Sequence, residues 1–339
     1  MSFTHLKSLL PAIVIALLLL PSCRESKKTA EDNKGISDNN SIESLKILRY
    51  EKALFSIQQE HFADGLKKIA RDYSVFLGEN YTSPEAISQL SEFVANSQNQ
   101  QVYAECLKQF PDLESITGEF RKAFKIMQEE IPGYQIPQVY TYVSGFDFQY
   151  PIKYTDSALI IALDMYLGSD YTGYREIGIP VYIAGRLTAD HILPDCMKAM
   201  SLPFIQSSKS QVLLDAMIEE GKSLYFADVM LPEINDQLII GYTEEQLKWC
   251  ADNENNLWSF LIENEMLYSS EAKSISIFMT DGPFTASFSQ ESPSRTGAWL
   301  GWQIVKSYMK NNDSMIAGLM ANANSQEILE KSGYKPKKK

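Results

Sequence analysis

The sequence predicts a predominantly helical α+β fold with a small β-sheet in the middle of the chain. Residues 113–131 carry apolar side chains at three- and four-residue steps, the period of an amphipathic helix. Residues 212–230 are similarly rich in large apolar residues. Between them, residues 138–143 are rich in β-formers, and residues 158–167 form a nearly continuous apolar run. These two runs are typical of neighbouring strands, the second of them largely buried.

Capping signals mark several of the predicted helix ends. Ser83 and Pro84 combine an N-cap hydroxyl with a proline at the first helical position. Thr243 and Gln246 have the spacing of a capping box. Gly333 suits the end of a helix, because glycine readily adopts the left-handed conformation found there. The large apolar residues between 298 and 309 predict one more helix.

The first residues predict export. Lys7 precedes the apolar residues 8–20, and residues 1–22 have the organisation of a secretory signal peptide. The apolar core is shorter than the ~20 residues of a membrane-spanning helix. Leu20-Pro21-Ser22-Cys23 resembles a bacterial lipobox, whose cysteine receives a diacylglycerol and then an N-acyl chain such as palmitate. The alternative is an ordinary signal peptide followed by a chance cysteine.

The lipobox interpretation divides the chain into four parts. Cys23 would be the anchor, since several acyl chains together hold a protein stably on a bilayer. Residues 23–44 are polar and predict a flexible tether, residues 45–334 a single α-rich globular domain, and residues 335–339 a solvated basic tail. The expected location is the periplasm-facing side of the inner or outer membrane. The outer membrane is favoured because Arg24-Glu25 places no aspartate after the cysteine.

Composition narrows the function classes. With 45% hydrophobic and 22% charged residues the chain is an ordinary globular protein. Its net charge of −12 argues against nucleic acid as a partner, because phosphate binding needs a basic face. No cofactor is expected besides the covalent lipid. Export permits disulfides, but Cys106, Cys196 and Cys250 can form at most one.

An acidic-acidic-glycine step interrupts the apolar run of residues 212–230. Gly221 costs ~1 kcal/mol relative to alanine inside a helix, so a compensating reason is expected. Either Glu219 and Glu220 both face solvent and Gly221 admits a neighbouring helix, or one glutamate faces inward. Ile218-Glu219-Glu220-Gly221, with Tyr225-Phe226 downstream, resembles the Glu-Gly helix of gluzincin metallopeptidases. That resemblance implies a glutamate in the position of the third zinc ligand.

The rest of such a zinc site is incomplete. The motif H-E-x-x-H is absent. His191 and Asp195 are four residues apart and could join Glu220 as candidate ligands, since a catalytic zinc needs about three. Ile192 occupies the position of the general-base glutamate, and Pro194 would have to lie in the same helical turn. The expectation is a zincin-like architecture without a complete metal site and without catalytic residues.

A second group of residues suggests a cleft or a partner surface. Arg295 precedes the predicted helix that carries Trp299 and Trp302, which are three residues apart and therefore on one face. Arginine and aromatic residues are enriched at interface hot spots. Glu219 and Glu220 belong to the same candidate surface. The alternative, which the sequence favours, places both tryptophans in the core.

Five segments of the chain, taken in order, carry a resemblance to a known family. They are Leu20-Pro21-Ser22-Cys23, Val139-Tyr140-Thr141-Tyr142-Val143-Ser144-Gly145-Phe146-Asp147, Leu163-Asp164-Met165-Tyr166-Leu167-Gly168, Met217-Ile218-Glu219-Glu220-Gly221-Lys222 and Gly297-Ala298-Trp299-Leu300-Gly301-Trp302-Gln303-Ile304-Val305. Together they resemble the GldB family, the gliding motility-associated lipoproteins of Bacteroidetes. The resemblance implies a non-catalytic lipoprotein of the cell envelope that supports gliding motility, the type IX secretion machinery, or both, through contacts with envelope proteins.

The sequence is also compatible with two other functions. One is a zinc-dependent, peptidase-like hydrolase with an unusual ligand set. The other is a module that binds peptide or glycan in a peptidase-like cleft.

Overall fold

The computed structural model describes residues 42–285 and 288–336. The predicted signal peptide, Cys23 and the tether as far as residue 41 lie outside the described residues, as do the last three residues of the predicted basic tail. All of the described residues belong to one compact unit.

Most of the described chain is helical, as the sequence predicts. Its α-helices are α1 Tyr50–Phe55, α2 Phe62–Ile69, α3 Ser74–Leu77, α4 Pro84–Ala95, α5 Ser97–Gln109, α6 Glu114–Glu130, α7 Thr172–Glu176, α8 Val181–Ala184, α9 Ile192–Ser201, α10 Leu213–Met230, α11 Asp236–Ile240, α12 Glu244–Asp252, α13 Glu254–Glu263, α14 Ala272–Met279, α15 Thr296–Asn311, α16 Ile316–Ala321 and α17 Ser325–Ser332. Short 3-10 helices lie at Ile42–Ser44, Gln59–His61, Leu163–Met165, Ala189–His191 and Leu202–Phe204.

Four strands form a small mixed sheet in the order β1–β2–β4–β3. They are β1 Leu48–Arg49, β2 Gln138–Tyr142, β3 Ile152–Thr155 and β4 Ala158–Ala162. The central pair, β2 and β4, is parallel and places Val139 opposite Leu159. β1 is parallel to β2, and β3 is antiparallel to β4. All five residues of β4 are buried, so the two predicted strands are neighbours and the second is buried, as the sequence indicated.

The sheet differs from the prediction in two respects. The strand in the apolar run of residues 158–167 ends at Ala162, and the 3-10 helix Leu163–Met165 follows. The outer strands were not predicted. β1 has two residues, and β3 has four that alternate between half-buried and exposed. Segments this short carry too little periodicity to be recognised.

The predicted helices and their caps agree with the structure. α6, α10 and α15 occupy the three long apolar segments. The amide of Ala86 donates to the Ser83 hydroxyl at 3.2 Å, so Ser83 caps α4. Thr243 and Gln246 form the reciprocal bonds of a capping box at the start of α12. Gly333 ends α17 with a φ of 57°.

The centre of the core is the packing of α10 against α15. α14 and α17 pack against both of these helices, and α9 packs against α10. Gly221 of α10 meets the backbone of Gly301 of α15. This contact explains the glycine within α10, because any side chain there would separate the two helices. A second, smaller cluster of buried residues joins α1, α2, α3 and α4; it contains Tyr50, Leu54, Phe62, Leu66, Leu77 and Val94.

Candidate functional site

A cavity of about 280 Å³ lies beside α9 and brings together three of the predicted site residues. His191, Asp195 and Arg295 all line it. Arg186, which follows α8, and Lys198 on α9 line it as well. Another part of the wall comes from the loop between β2 and β3. We refer to this space and its lining residues as the cavity.

Pro194 does not disturb the helix that carries this site. α9 begins at Ile192, so Pro194 lies in the first turn, where a backbone N–H has no acceptor within the helix. His191 comes just before α9, and its Nδ1 lies 2.8 Å from the hydroxyl of Thr188. Burial lowers the pKa of His191, so the imidazole is neutral at pH 7. The obstacle that the sequence suggested at Pro194 therefore does not arise.

Asp195 is held by two neighbours. The hydroxyl of Tyr166 donates to Oδ2 at 3.0 Å, and the ammonium of Lys198 lies 2.8 Å from Oδ1. Burial by itself would raise the pKa of Asp195, but Lys198, His191 and the Tyr166 hydroxyl together hold it below its usual value. The group is therefore a carboxylate at neutral pH, with its position set from two sides.

Asp281 joins the two arginines of the cavity. Its Oδ2 accepts from Arg186 at 2.9 Å, and its Oδ1 lies 3.4 Å from Nε of Arg295. Arg295 also donates to the carbonyl oxygen of Ile240. Burial opposes the charge of Asp281, yet the two guanidinium groups lower the pKa of its carboxyl. The arginines are therefore oriented by one shared carboxylate.

The backbone at Arg295 is in an unusual conformation. Arg295 is the N-cap of α15 and has a φ of 56°, in the left-handed region that L side chains seldom occupy. Such a conformation costs of order 1–3 kcal/mol and persists only where its surroundings enforce it. Here the ion pair with Asp281 and the hydrogen bond to Ile240 hold the side chain in place.

The two glutamates of α10 have different surroundings. Glu219 accepts a hydrogen bond from the backbone amide of Ser208 at 3.0 Å and so holds the segment that precedes α10. Burial acts to lower the pKa of Arg295, but nearby negative charges raise it, and Glu220 has the largest effect among them. Both side chains are half-buried. Only Glu220 therefore belongs electrostatically to the site.

Trp299 and Trp302 are core residues. They are 4% and 0% exposed, so neither offers a surface to a partner. The Nζ of Lys306 lies 3.8 Å above the ring of Trp302, a cation–π contact at the edge of the core.

Residues 42–285 and 288–336 include no group of three His, Cys, Asp or Glu side chains that could hold a metal ion. Cys106, Cys196 and Cys250 are buried and unpaired. Burial raises the pKa of each thiol, so all three are neutral at pH 7.

The segment Leu163-Asp164-Met165-Tyr166-Leu167-Gly168 shapes one wall of the cavity. Asp164 is fully buried and accepts from the backbone amides of Ser144 and Phe146 at 2.9 and 2.7 Å, and from the Ser144 hydroxyl at 2.9 Å. The loop that it holds continues to Phe148 and Tyr150, which line the cavity. Tyr166, two residues on, donates to Asp195. One short segment thus positions both the loop and the carboxylate.

The sequence alone did not point to Arg186, Lys198 or Asp281. The i,i+3 spacing of Asp195 and Lys198 was a usable signal, because such residues are neighbours on a helix. Nothing comparable existed for Arg186 and Asp281, which are 95 positions apart.

None of the helices within the described residues is both long and apolar enough to cross a bilayer. Comparisons with curated proteins and with solved structures gave no match. A family model described as gliding motility protein GldB matches residues 30–336, nearly the whole chain. This is a family of lipoproteins that is not known for an enzyme activity. The chain therefore belongs to the family of the gliding motility protein GldB, and this membership implies a role in gliding motility.

Proposed function

We propose that the protein is a non-catalytic lipoprotein of the cell envelope, held on a membrane by lipid on Cys23, which supports gliding by binding other envelope proteins. The observation that carries this proposal is the family match over residues 30–336, directly after a lipobox-like segment. The polar residues between Cys23 and the folded domain suit a tether that lets the domain reach partners near the membrane surface.

The surroundings of the peptidase-like segment of α10 support a structural role for it. Glu219 holds the preceding loop, Gly221 admits α15, and Lys222 donates to the carbonyl of Asn322 at 2.6 Å. Each of these residues has a packing or hydrogen-bonding reason to be present. The likeness to zinc peptidases remains a prediction from sequence.

The anchor is tested with Cys23→Ala, and Ser37→Ala in the same polar segment is the matched control. Cells expressing each full-length variant are labelled with a palmitate analogue and then fractionated. We expect Cys23→Ala to lose the label and move to the soluble fraction, whereas Ser37→Ala keeps both label and membrane association. Undiminished membrane retention of Cys23→Ala would refute the anchor.

The supporting role is tested by replacing the native gene in a gliding host with the same two variants. Colony spreading and the secretion of type IX cargo are measured separately, because either process could depend on the protein. We expect Cys23→Ala to reduce at least one of them, and Ser37→Ala to reduce neither. Normal spreading and normal secretion with Cys23→Ala would contradict the proposal.

A further inference from the structure

The cavity gathers three cationic side chains and their carboxylate partners. Arg186, Lys198 and Arg295 line it together with Asp195, and His191 is neutral at pH 7. Asp281 pairs with both arginines, and the charge of Glu220 acts on Arg295. The three cations are therefore matched by three carboxylates, so an anionic ligand would be held by the hydrogen-bond donors that these partners leave unused.

The cationic groups retain hydrogen-bonding capacity. Asp281 accepts one of the five N–H donors of Arg186, and the other four have no protein acceptor within the described residues. Lys198 uses its ammonium on Asp195 and has two further donors. Asp281 fixes the side chain of Arg186, and Asp195 fixes that of Lys198. Both cationic groups are therefore in position before a ligand binds.

One wall of the cavity is apolar and open to solvent. Phe148 and Tyr150 line it although they are 44% and 63% exposed. Pro151 and Ile152 continue the same wall into the edge strand β3. Large exposed aromatic side chains beside fixed polar groups are typical of binding sites, where the apolar surface contributes affinity and the polar groups set orientation.

We propose that the cavity binds a ligand that carries a carboxylate next to an apolar group, with the carboxylate on Arg186 and Lys198 and the apolar group on Phe148 and Tyr150. A guanidinium and a carboxylate match each other in geometry and charge. Asp195 lies among the cations, so a doubly charged phosphate would meet more repulsion there than a carboxylate. The C-terminus of a peptide and a small acylated amino acid both have this chemistry. The proposal does not depend on the lipid anchor.

Calorimetric titration of the purified full-length protein in detergent tests this site. The probes are N-acetyl-alanyl-alanyl-phenylalanine with a free carboxylate, the same peptide as its C-terminal amide, and N-acetyl-phenylalanine. We expect saturable binding of the free acid, and binding at least about tenfold weaker for the amide, because a hydrogen bond to a charged group is lost. Equal affinity of the two acids would identify a small-acid site, and tighter binding of the tripeptide a peptide site.

Substitutions locate the binding. We expect Arg186→Met to weaken the binding of the free-acid tripeptide at least about tenfold. Arg71→Met, at an exposed arginine outside the cavity lining, should leave this affinity unchanged. Tyr150→Ala removes an exposed ring that the fold does not need, so it provides a second measurement if Arg186→Met fails to fold. Equal binding of acid and amide, no saturation by either acid up to about 1 mM, or full affinity in Tyr150→Ala would overturn the proposal.

Discussion

Gly221 of α10 lies directly against Gly301 of α15, so that the two helices touch through their backbones. A Cβ atom on Gly221 would lie 2.8 Å from the amide nitrogen of Trp302 and closer still to the carbonyl group of Gly301. A Cβ on Gly301 would overlap the carbonyl group of Met217. The obstructing atoms belong to the backbone, so relief requires the helices to move apart.

We therefore expect Gly221→Ala to lower the free energy of unfolding by about 1–3 kcal/mol, the usual cost of overpacking a core. Gly118→Ala on α6 is the matched control, because a Cβ there would meet nothing within 4 Å. The control should stabilise the protein by up to about 1 kcal/mol through helix propensity. Denaturant unfolding of both variants measures the contrast, and equal effects of the two substitutions would count against the backbone contact.

Asp164 holds the loop that follows β2 through three hydrogen bonds. Asp164→Asn retains the size of the side chain but replaces one acceptor oxygen with an NH₂ donor, which would face groups that also donate. A buried donor or acceptor left unsatisfied costs about 1–3 kcal/mol, and we expect a destabilisation of that size in thermal unfolding. Asp313→Asn, at an exposed position, is the control and should change little. An unchanged melting temperature for Asp164→Asn would disprove the role of the three bonds.

Lys222 makes stability depend on pH. Burial lowers its pKa from 10.5 to about 8 in the folded protein. Between these two values the unfolded chain binds more protons than the folded one, so this group makes the protein more stable as pH rises from about 8 to 10.5. Below pH 8 the cost of the buried charge is present in full.

Lys222→Met removes this titration. We expect the stability of the variant relative to the wild type to be highest at pH 7 and to decline toward pH 10. The measurement is urea unfolding of both proteins at pH 7, 8.5 and 10, and the quantity compared is their difference, because other groups that titrate in this window contribute equally to both. A difference that stays constant across the range would show that Lys222 keeps its ordinary pKa.

Asp281 orients both arginines of the cavity, so its loss leaves two buried or half-buried cations without their shared partner. We expect Asp281→Asn to lower the melting temperature clearly, whereas Asp64→Asn, which breaks the exposed pair with Lys67, should have almost no effect. The difference should narrow in low-pH buffers in which the Asp281 carboxyl is protonated. Equal melting temperatures of the two variants at neutral pH would show that Asp281 is dispensable.

The sequence by itself determined the elements whose signals are local. These are the helical period of residues 113–131, the apolar run of residues 212–230, the cap at Ser83 and the capping box at Thr243. Each depends on residues within a few positions of one another, and all four are present as helices or caps in the structure. β1 and β3 were not predicted, because segments this short carry no recognisable pattern of their own. They are strands only because β1 pairs with β2 and β3 pairs with β4.

Only the tertiary structure decided which side chains meet. Sequence spacing placed His191 near Asp195, but Arg186 and Arg295 come from distant segments of the chain. They line the same cavity and share Asp281 as a partner. The tertiary structure also showed that Gly221, in the peptidase-like segment, lies against Gly301. No sequence pattern within α10 could reveal this contact. The physical reason is the same in both cases. Periodicity and capping are properties of neighbouring residues, whereas a charged cavity and a backbone contact exist only once distant segments have packed together.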